Sequence, residues 1–266
     1  MISTLGRYSR MTLLMMKNCL IREMQFRSNF VIRLFTEVIW LGMQIVYVAV
    51  LYGVTQTIGG WNVWQMVMLL GTNHILTQLF EAFFFDNCTK LVDQIRLGDL
   101  DFILIKPVNP QFLVSLRYTD YASMTNSLVG FAMIGYAIHR LGIAITPLEA
   151  FLFLLLIVNG ILILYAMTFC LSVLTFWIGR ASNLFELYYQ LTQFTRYPGE
   201  IYRWGLRIAL LTVIPMLVVS NFPVKMLLGG LFNAWLGYAC AIGLIFFAAT
   251  VWIWNLGLRR YRSASS

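Results

Sequence analysis

Few ionisable side chains interrupt the apolar runs of this 266-residue chain, and those few are where chemistry would reside. Arg33, Glu37, Glu81 and Asp120 are the four. Each costs roughly 2.5–3.5 kcal/mol to insert into a membrane helix, so its presence implies a partner or a wet cavity. Arg33 and Glu37 are four residues apart on one helix face and read as a mutual ion pair. Glu81 and Asp120 lie near the polar ends of their runs, with Arg117 close to Asp120. Snorkelling and local pairing account for them, and a transport role is the alternative. Glu186, Tyr188, Tyr189, Gln190 and Gln193 form the most polar candidate span, suited to lining a pathway or interface, and equally to a helix that never enters lipid.

Enzyme signatures are absent: no GxxxxGK[ST], no GxGxxG between strand and helix, no HExxH and no CxxC. His74 and His139 have no second histidine or cysteine at ligand spacing, and Cys19, Cys88, Cys170 and Cys240 are widely separated. The cysteines are expected to be free thiols, with no catalytic, cofactor or metal site in the chain. A lipid-modifying membrane enzyme would need carboxylates or histidines clustered at one depth, and none is found. A structural membrane scaffold is the other alternative.

One polar stretch stands out, D-Q-I-R-L-G-D-L-D-F-I-L-I-K-P-V-N-P-Q-F from Asp93 to Phe112. Val92, Ile95 and Leu100 can form an apolar stripe, Gly98 permits a helix stop, and Lys106-Pro107 with Asn109-Pro110 imposes extended turns. The connection exceeds the usual 2–8 residues between helices, and loops of this length tend to be functional or disordered. Its periodicity argues against disorder and points to a docking helix.

The elements that would hold these residues follow from composition. Hydrophobic residues make up 60% and charged residues 11% of the chain, far from a soluble domain. Runs of roughly 20 apolar residues suit helices across the ~30 Å hydrocarbon core, and they lack the alternation of membrane strands. The class is all-α, a polytopic membrane protein. Its basic residues sit at the ends of apolar runs rather than in one stripe, which reads as topogenic signal and not as nucleic-acid binding.

Residues 1–29 suggest an amphipathic surface helix carrying Arg7, Arg10, Lys17 and Arg22, with no short apolar region and cleavage site of a signal peptide. Spans are expected at 30–52, 63–85, 112–138, 148–178 and 232–256, the last stopping at Arg259, Arg260 and Arg262. An even number of crossings, six, puts both termini in the cytoplasm. Residues 181–231 admit two arrangements. In one, 181–197 is the fifth span and 198–231 dips back as a broken re-entrant segment, leaving Arg196, Arg203, Arg207 and Lys225 outside. In the other, 204–222 crosses, which suits the positive-inside tendency better.

The stretch Arg96 to Phe112, R-L-G-D-L-D-F-I-L-I-K-P-V-N-P-Q-F, resembles the cytoplasmic loop of ABC-2-type transporter permeases, in the subgroup whose loop reads G-x-L-D-x-x-L-x-K-P. Arg196 to Pro215, followed by Asn221-Phe222-Pro223, resembles that subgroup's stretch before its last span, save that a larger residue is expected at Gly199. The resemblance implies an inner-membrane permease of an ATP-driven exporter, with six spans, a coupling helix within 87–111 and a re-entrant segment before the last span. It implies two ATP-binding subunits that hold the ATP and Mg, a second permease copy or a related one, and a bilayer as solvent. Docking to the ATP-binding subunit would fall to Arg96, Gly98, Asp99, Leu100, Asp101, Lys106 and Pro107. The pathway or interface would fall to Glu81, Asp120, Glu186, Tyr188, Gln190 and Gln193.

Overall fold

A computed structural model describes residues 2–25, 27–179, 182–230 and 233–261. Arg262 and the range limits 181, 231 and 232 given above lie outside the described residues. Within these the regular structure is helical, apart from one bridge between Ile58 and Trp61. The helices are α1 (Ile2–Gln25), α2 (Arg27–Val54), α3 (Val63–Phe80), α4 (Asp86–Leu97), α5 (Asp101–Leu104), α6 (Pro110–Leu116) and α7 (Tyr121–Leu141). They continue with α8 (Pro147–Val173), α9 (Thr175–Ile178), α10 (Ser182–Thr192), α11 (Trp204–Thr212), α12 (Met216–Leu227) and α13 (Asn233–Arg260).

Among the described residues three helical stretches are long and apolar enough to cross a membrane, Phe30–Val54, Pro147–Ile178 and Ala234–Arg260. The pair α11 and α12, bent by 90°, makes a fourth if it is counted as one span. Sequence chemistry sets the boundaries. Asn62 and Gln65 form a reciprocal cap on α3, and Thr146 with Glu149 does the same for α8, where Pro147 opens the helix.

Two expectations about spans need correction. The run ending at Phe85 does not give way to a loop at Asp86: it passes through a π-helical turn, Glu81–Phe85, straight into α4, and stops only at Gly98, whose φ of 82° is left-handed. The expected third span, 112–138, is not one helix. It breaks between α6 and α7, and the break is fastened to the π turn. Buried Asn87 donates to the carbonyls of Phe83 (2.8 Å) and Tyr118 (2.7 Å) and accepts the Tyr118 N–H (2.9 Å), while the Asp120 N–H reaches the Ala82 carbonyl (2.9 Å).

The core forms where α3 packs on α7 and α8 packs on α12 and α13. Small residues allow the closest approach, as is usual between membrane helices. A Cβ on Gly130 would stand 2.7 Å from the Gly71 carbonyl oxygen, so α3 and α7 meet backbone to backbone. Asn159 of α8 donates to the Ala239 carbonyl of α13 at 3.0 Å, and Phe169 meets Trp254 further along the same seam.

Residues 182–201 run antiparallel to the α3–π helix along its length. Phe185 meets Phe85, Tyr188 meets Phe80, Thr195 hydrogen-bonds Asn73, and Glu200 accepts from Trp61 Nε1 at 3.1 Å. The stretch from Val63 to Phe85 is about 35 Å of helix, enough to match a hydrocarbon core. The bent pair then returns to the same end: Arg207 of α11 and Lys225 of α12 both pair with Glu200. Gly199 is small for a reason. Its N–H donates to Asn221 Oδ1 at 2.8 Å, and an added Cβ would come within 3.1 Å of the Leu217 side chain.

Burial alone would raise the Glu200 carboxyl, but the hydrogen bond and charge of Lys225, with the charge of Arg207, outweigh it and hold the group below its ordinary 4.5. A depressed carboxyl contributes stability that is full above its ordinary value and fades as pH falls through its folded value. Glu200→Gln is therefore expected to lower the unfolding midpoint in detergent at pH 7, by about 1–2 kcal/mol in stability. Its difference from the parent should shrink on acidification below about pH 4.5. A difference that stays constant from pH 7 to pH 3.5 would show that the ion pair holds nothing together.

Candidate functional site

Helical spacing gathers the in-span polar residues around one cavity. Arg33, Glu37, Trp40 and Gln44 recur on one face of α2; Asn73, Thr77, Gln78 and Glu81 recur on one face of the α3–π helix. Asp120 and Ser123 close it from the start of α7, and Tyr188, Gln193 and Arg196 from the 182–196 stretch. The cavity volume is about 570 Å³. That is the size of a small-molecule site, with aromatic walls from Trp40, Phe85, Tyr188 and Tyr189.

The expected Arg33–Glu37 pair does not form. Arg33 reaches across to Asp120 at 2.6 Å, and Glu37 instead accepts from the Gln78 amide at 2.9 Å. Asp120 is already pre-aimed, because the same carboxylate caps α7 through the N–H groups of Ala122 and Ser123 (3.0 and 3.4 Å) and takes the Ser123 hydroxyl at 3.1 Å. Arg117 does not pair with Asp120 either; it lies over the Tyr118 ring, as do Arg22 and Lys90, the last at 3.6 Å. Glu81 lines the cavity with no hydrogen bond or ion pair among the described residues. The Gln78 side-chain oxygen and Arg196 Nε are buried and unpaired as well. Such groups ask for water or a ligand.

Of the residues expected in a pathway, Glu81, Asp120, Tyr188 and Gln193 meet at this cavity. Glu186 and Gln190 do not; they bond each other at 3.0 Å on the exposed side of α10. Sequence reasoning missed Asn73, His74, Gln78 and Arg196 as neighbours of the group. The signal was present in the i, i+4 recurrence of polar residues along an otherwise apolar run.

The 93–112 stretch forms a compact turn at the far end of α4. The stripe of Val92, Ile95 and Leu100 faces inward, and Leu100 is fully buried. What faces outward is Leu97, Phe102 and Ile105, at 61%, 67% and 79% exposure. Exposed charges frame them: Asp93 paired with Arg96 at 3.0 Å, then Asp99 and Lys106. Tyr261, just past α13, anchors the turn by donating to the Gly98 carbonyl at 3.3 Å. Burial, with the nearby charges of Asp101 and Asp99, pushes its phenol up to about 12.

Helix α1 lies over the same region. Arg7 donates to the Pro107 carbonyl (2.8 Å), Tyr8 accepts the Asn109 N–H and packs edge-on to Phe112, and Glu23 accepts the Tyr121 N–H. The Tyr121 hydroxyl in turn donates to the Met16 carbonyl at 3.0 Å. Burial raises the Glu23 carboxyl against the pull of the Tyr121 N–H, and the negative charge of Asp120 adds to the rise. Leu13, Leu14 and Ile21 remain outward beside Arg10 and Lys17, the composition of a helix at a headgroup layer.

A polar cavity walled by apolar helices, beside a long helix ending in a turn with exposed apolar side chains, is compatible with a membrane transport subunit. The family model described as ABC-2 family transporter protein matches residues 38–265. The chain belongs to the ABC-2 transporter family. No curated protein and no solved structure gives a significant match. The match covers the turn, the bent pair and the cavity lining from Trp40 onward, and makes the chain a membrane-embedded permease of the ABC class. ABC-2 permeases work with ATP-binding partner subunits.

Asp120 performs two tasks in this permease that substitutions separate. Asparagine still caps a helix, so Asp120→Asn loses the Arg33 pair alone, whereas Asp120→Ala loses cap and pair together and is expected to cost about 2–3 kcal/mol. Unfolding midpoints should rank parent above Asp120→Asn above Asp120→Ala, with Arg33→Gln adding little to Asp120→Asn. Equal midpoints for all four proteins would show that this pair does not hold α2 to α7.

Proposed function

We propose that this chain is the permease subunit of an ATP-driven exporter, crossing the inner membrane six times with both ends in the cytoplasm. The crossings are α2, the α3–π–α4 helix, α7, α8–α9, the 182–196 stretch and α13. Support for the fifth comes from the antiparallel run of 182–201 beside α3 and from the return of both arms of the bent pair to Glu200. On this reading α11 and α12 are the re-entrant segment within 198–231, opening on the outer side.

The observation that carries the function is the outward set Leu97, Phe102 and Ile105 at the end of the α3–α4 helix. Three large apolar side chains in a row of charges make a docking face, because burying each is favourable by about 1.5–3 kcal/mol while the flanking charges set the register. The partner is the ATP-binding subunit, which supplies ATP and Mg and is present in two copies beside two permeases. Arg96, Asp99 and Lys106 frame the contact; Gly98, Leu100, Asp101 and Pro107 shape the turn that presents it. Closure of the ATP-binding subunits pushes on this turn. A rigid helix carries the push to Glu81 and the cavity, where polar residues handle the cargo.

Phe102→Ser with Ile105→Ser is expected to weaken co-purification with the ATP-binding subunit by roughly thirtyfold per residue, about 2 kcal/mol each. The double variant should still insert and elute as a single species, since neither side chain is in the core. Unchanged assembly and cargo-stimulated hydrolysis would reduce the turn to a connector. For topology, single cysteines at Thr57, Ala144 and Trp204 in a cysteine-free background should react with an impermeant thiol reagent from outside, and one at Lys106 should not. Protection at Trp204 would put α11 on the wrong side and overturn the re-entrant arrangement.

A further inference from the structure

A second cavity, about 650 Å³, lies away from the first, between the end of α4, the end of α9 and the end of α13. Ile95, Phe176 and Tyr261 form its walls, and Arg96, Arg259 and Arg260 supply three guanidinium groups. Arg96 is shared with Asp93, whereas Arg259 and Arg260 have no ion-pair partner among the described residues. Asp99 and Asp101 act on Tyr261 from the side of the turn, and neither lines the cleft. At its floor, Thr175 is 2% exposed, and its hydroxyl has no hydrogen-bond partner. An orphaned hydroxyl beneath unneutralised guanidinium groups is matched by an oxygen-rich anion, and a phosphate fits the planar donor fork of arginine.

The position of the cleft in the fold says where that phosphate comes from. The two membrane-crossing stretches Pro147–Ile178 and Ala234–Arg260 both end at it, so it lies at the depth where hydrocarbon gives way to headgroups. Beside it Trp177 and Ile178 stand outward, at 44% and 60% exposure, an interfacial aromatic and an aliphatic side chain placed for acyl chains. Basic pockets between helices at this level take lipid headgroups. We propose that this cleft binds the phosphate headgroup of an anionic phospholipid, with Arg259 and Arg260 as the charged contacts and Thr175 as the neutral donor. The site needs only the membrane placement of α8–α9 and α13 and does not depend on the export reading. Because Tyr261 and Ile95 also touch the docking turn, a bound lipid braces that turn from behind.

The test uses the full chain purified in a neutral maltoside detergent, with the unfolding midpoint followed during titration. Dioleoylphosphatidylglycerol should raise the midpoint to a plateau. Dioleoylphosphatidylcholine, with the same tails and no net charge, and glycerol 1-phosphate, the headgroup without tails, should not do so over the same range. Arg259→Gln with Arg260→Gln should raise the half-saturating phosphatidylglycerol concentration by about tenfold or more, and Thr175→Val, nearly isosteric, by about threefold. If the arginine double variant does not fold, Thr175→Val decides alone. Equal shifts with the two lipids, or parent-like half-saturation in the variants, would overturn the site. A plateau with glycerol 1-phosphate would replace the lipid by a soluble phosphate.

Discussion

Everything on the α4 side of the protein depends on how the break between α6 and α7 satisfies its backbone. A helix that stops inside an apolar bundle leaves N–H and C=O groups that lipid cannot hydrate, each costing several kcal/mol if orphaned. Here the π turn at Glu81–Phe85 and Asn87, just after it, meet them: Asn87 donates to the Tyr118 carbonyl and accepts its N–H, and the Ala82 carbonyl accepts the Asp120 N–H. The break in turn aims Asp120 at Arg33 and the Tyr121 N–H at Glu23, which draws α2 and α1 onto the same spot. One irregular turn thus sets the positions of four helices.

That arrangement joins the 93–112 turn to the cavity by two routes. The first is direct, because the α3–π–α4 helix is continuous from Asn62 to Gly98 and carries Glu81 on it. The second passes through α1, which touches Pro107 and Asn109 at one end and Tyr121 at the other. A displacement of the turn therefore reaches both the carboxylate without a partner and the Arg33–Asp120 pair. Two discrete packings of such a unit are what a transport cycle requires, since packed helices shift between states rather than deform continuously.

On the opposite face Glu200 has the corresponding role. It receives Trp61, Lys225 and Arg207, and so ties the α2–α3 connection to both arms of the bent pair. Asn221 holds the backbone of Gly199 and Tyr197 beside it. Two of the charges that argued for a cytoplasmic location of this region by simple counting, Arg207 and Lys225, are internal partners of one glutamate, so counting them as topogenic signal overweights them.

Hydrophobic run length and composition alone established an all-helical membrane chain, because a bilayer demands about 20 apolar residues per helix and nothing else in the sequence could supply a soluble core. The end of the long α3–π–α4 helix was legible too, since Gly98 marks where helix cannot continue. Tertiary structure decided the rest. Arg33 and Glu37 share a helix face, yet each found a better-placed partner from another helix, and pairing across helices leaves no trace in spacing. The stripe at Val92 and Leu100 was read correctly as apolar, but periodicity does not say which face meets the bundle, and it is Leu97, Phe102 and Ile105 that stay exposed. A π turn has no composition of its own: EAFFF looks like any apolar helix until a buried asparagine and a broken neighbour require the extra width.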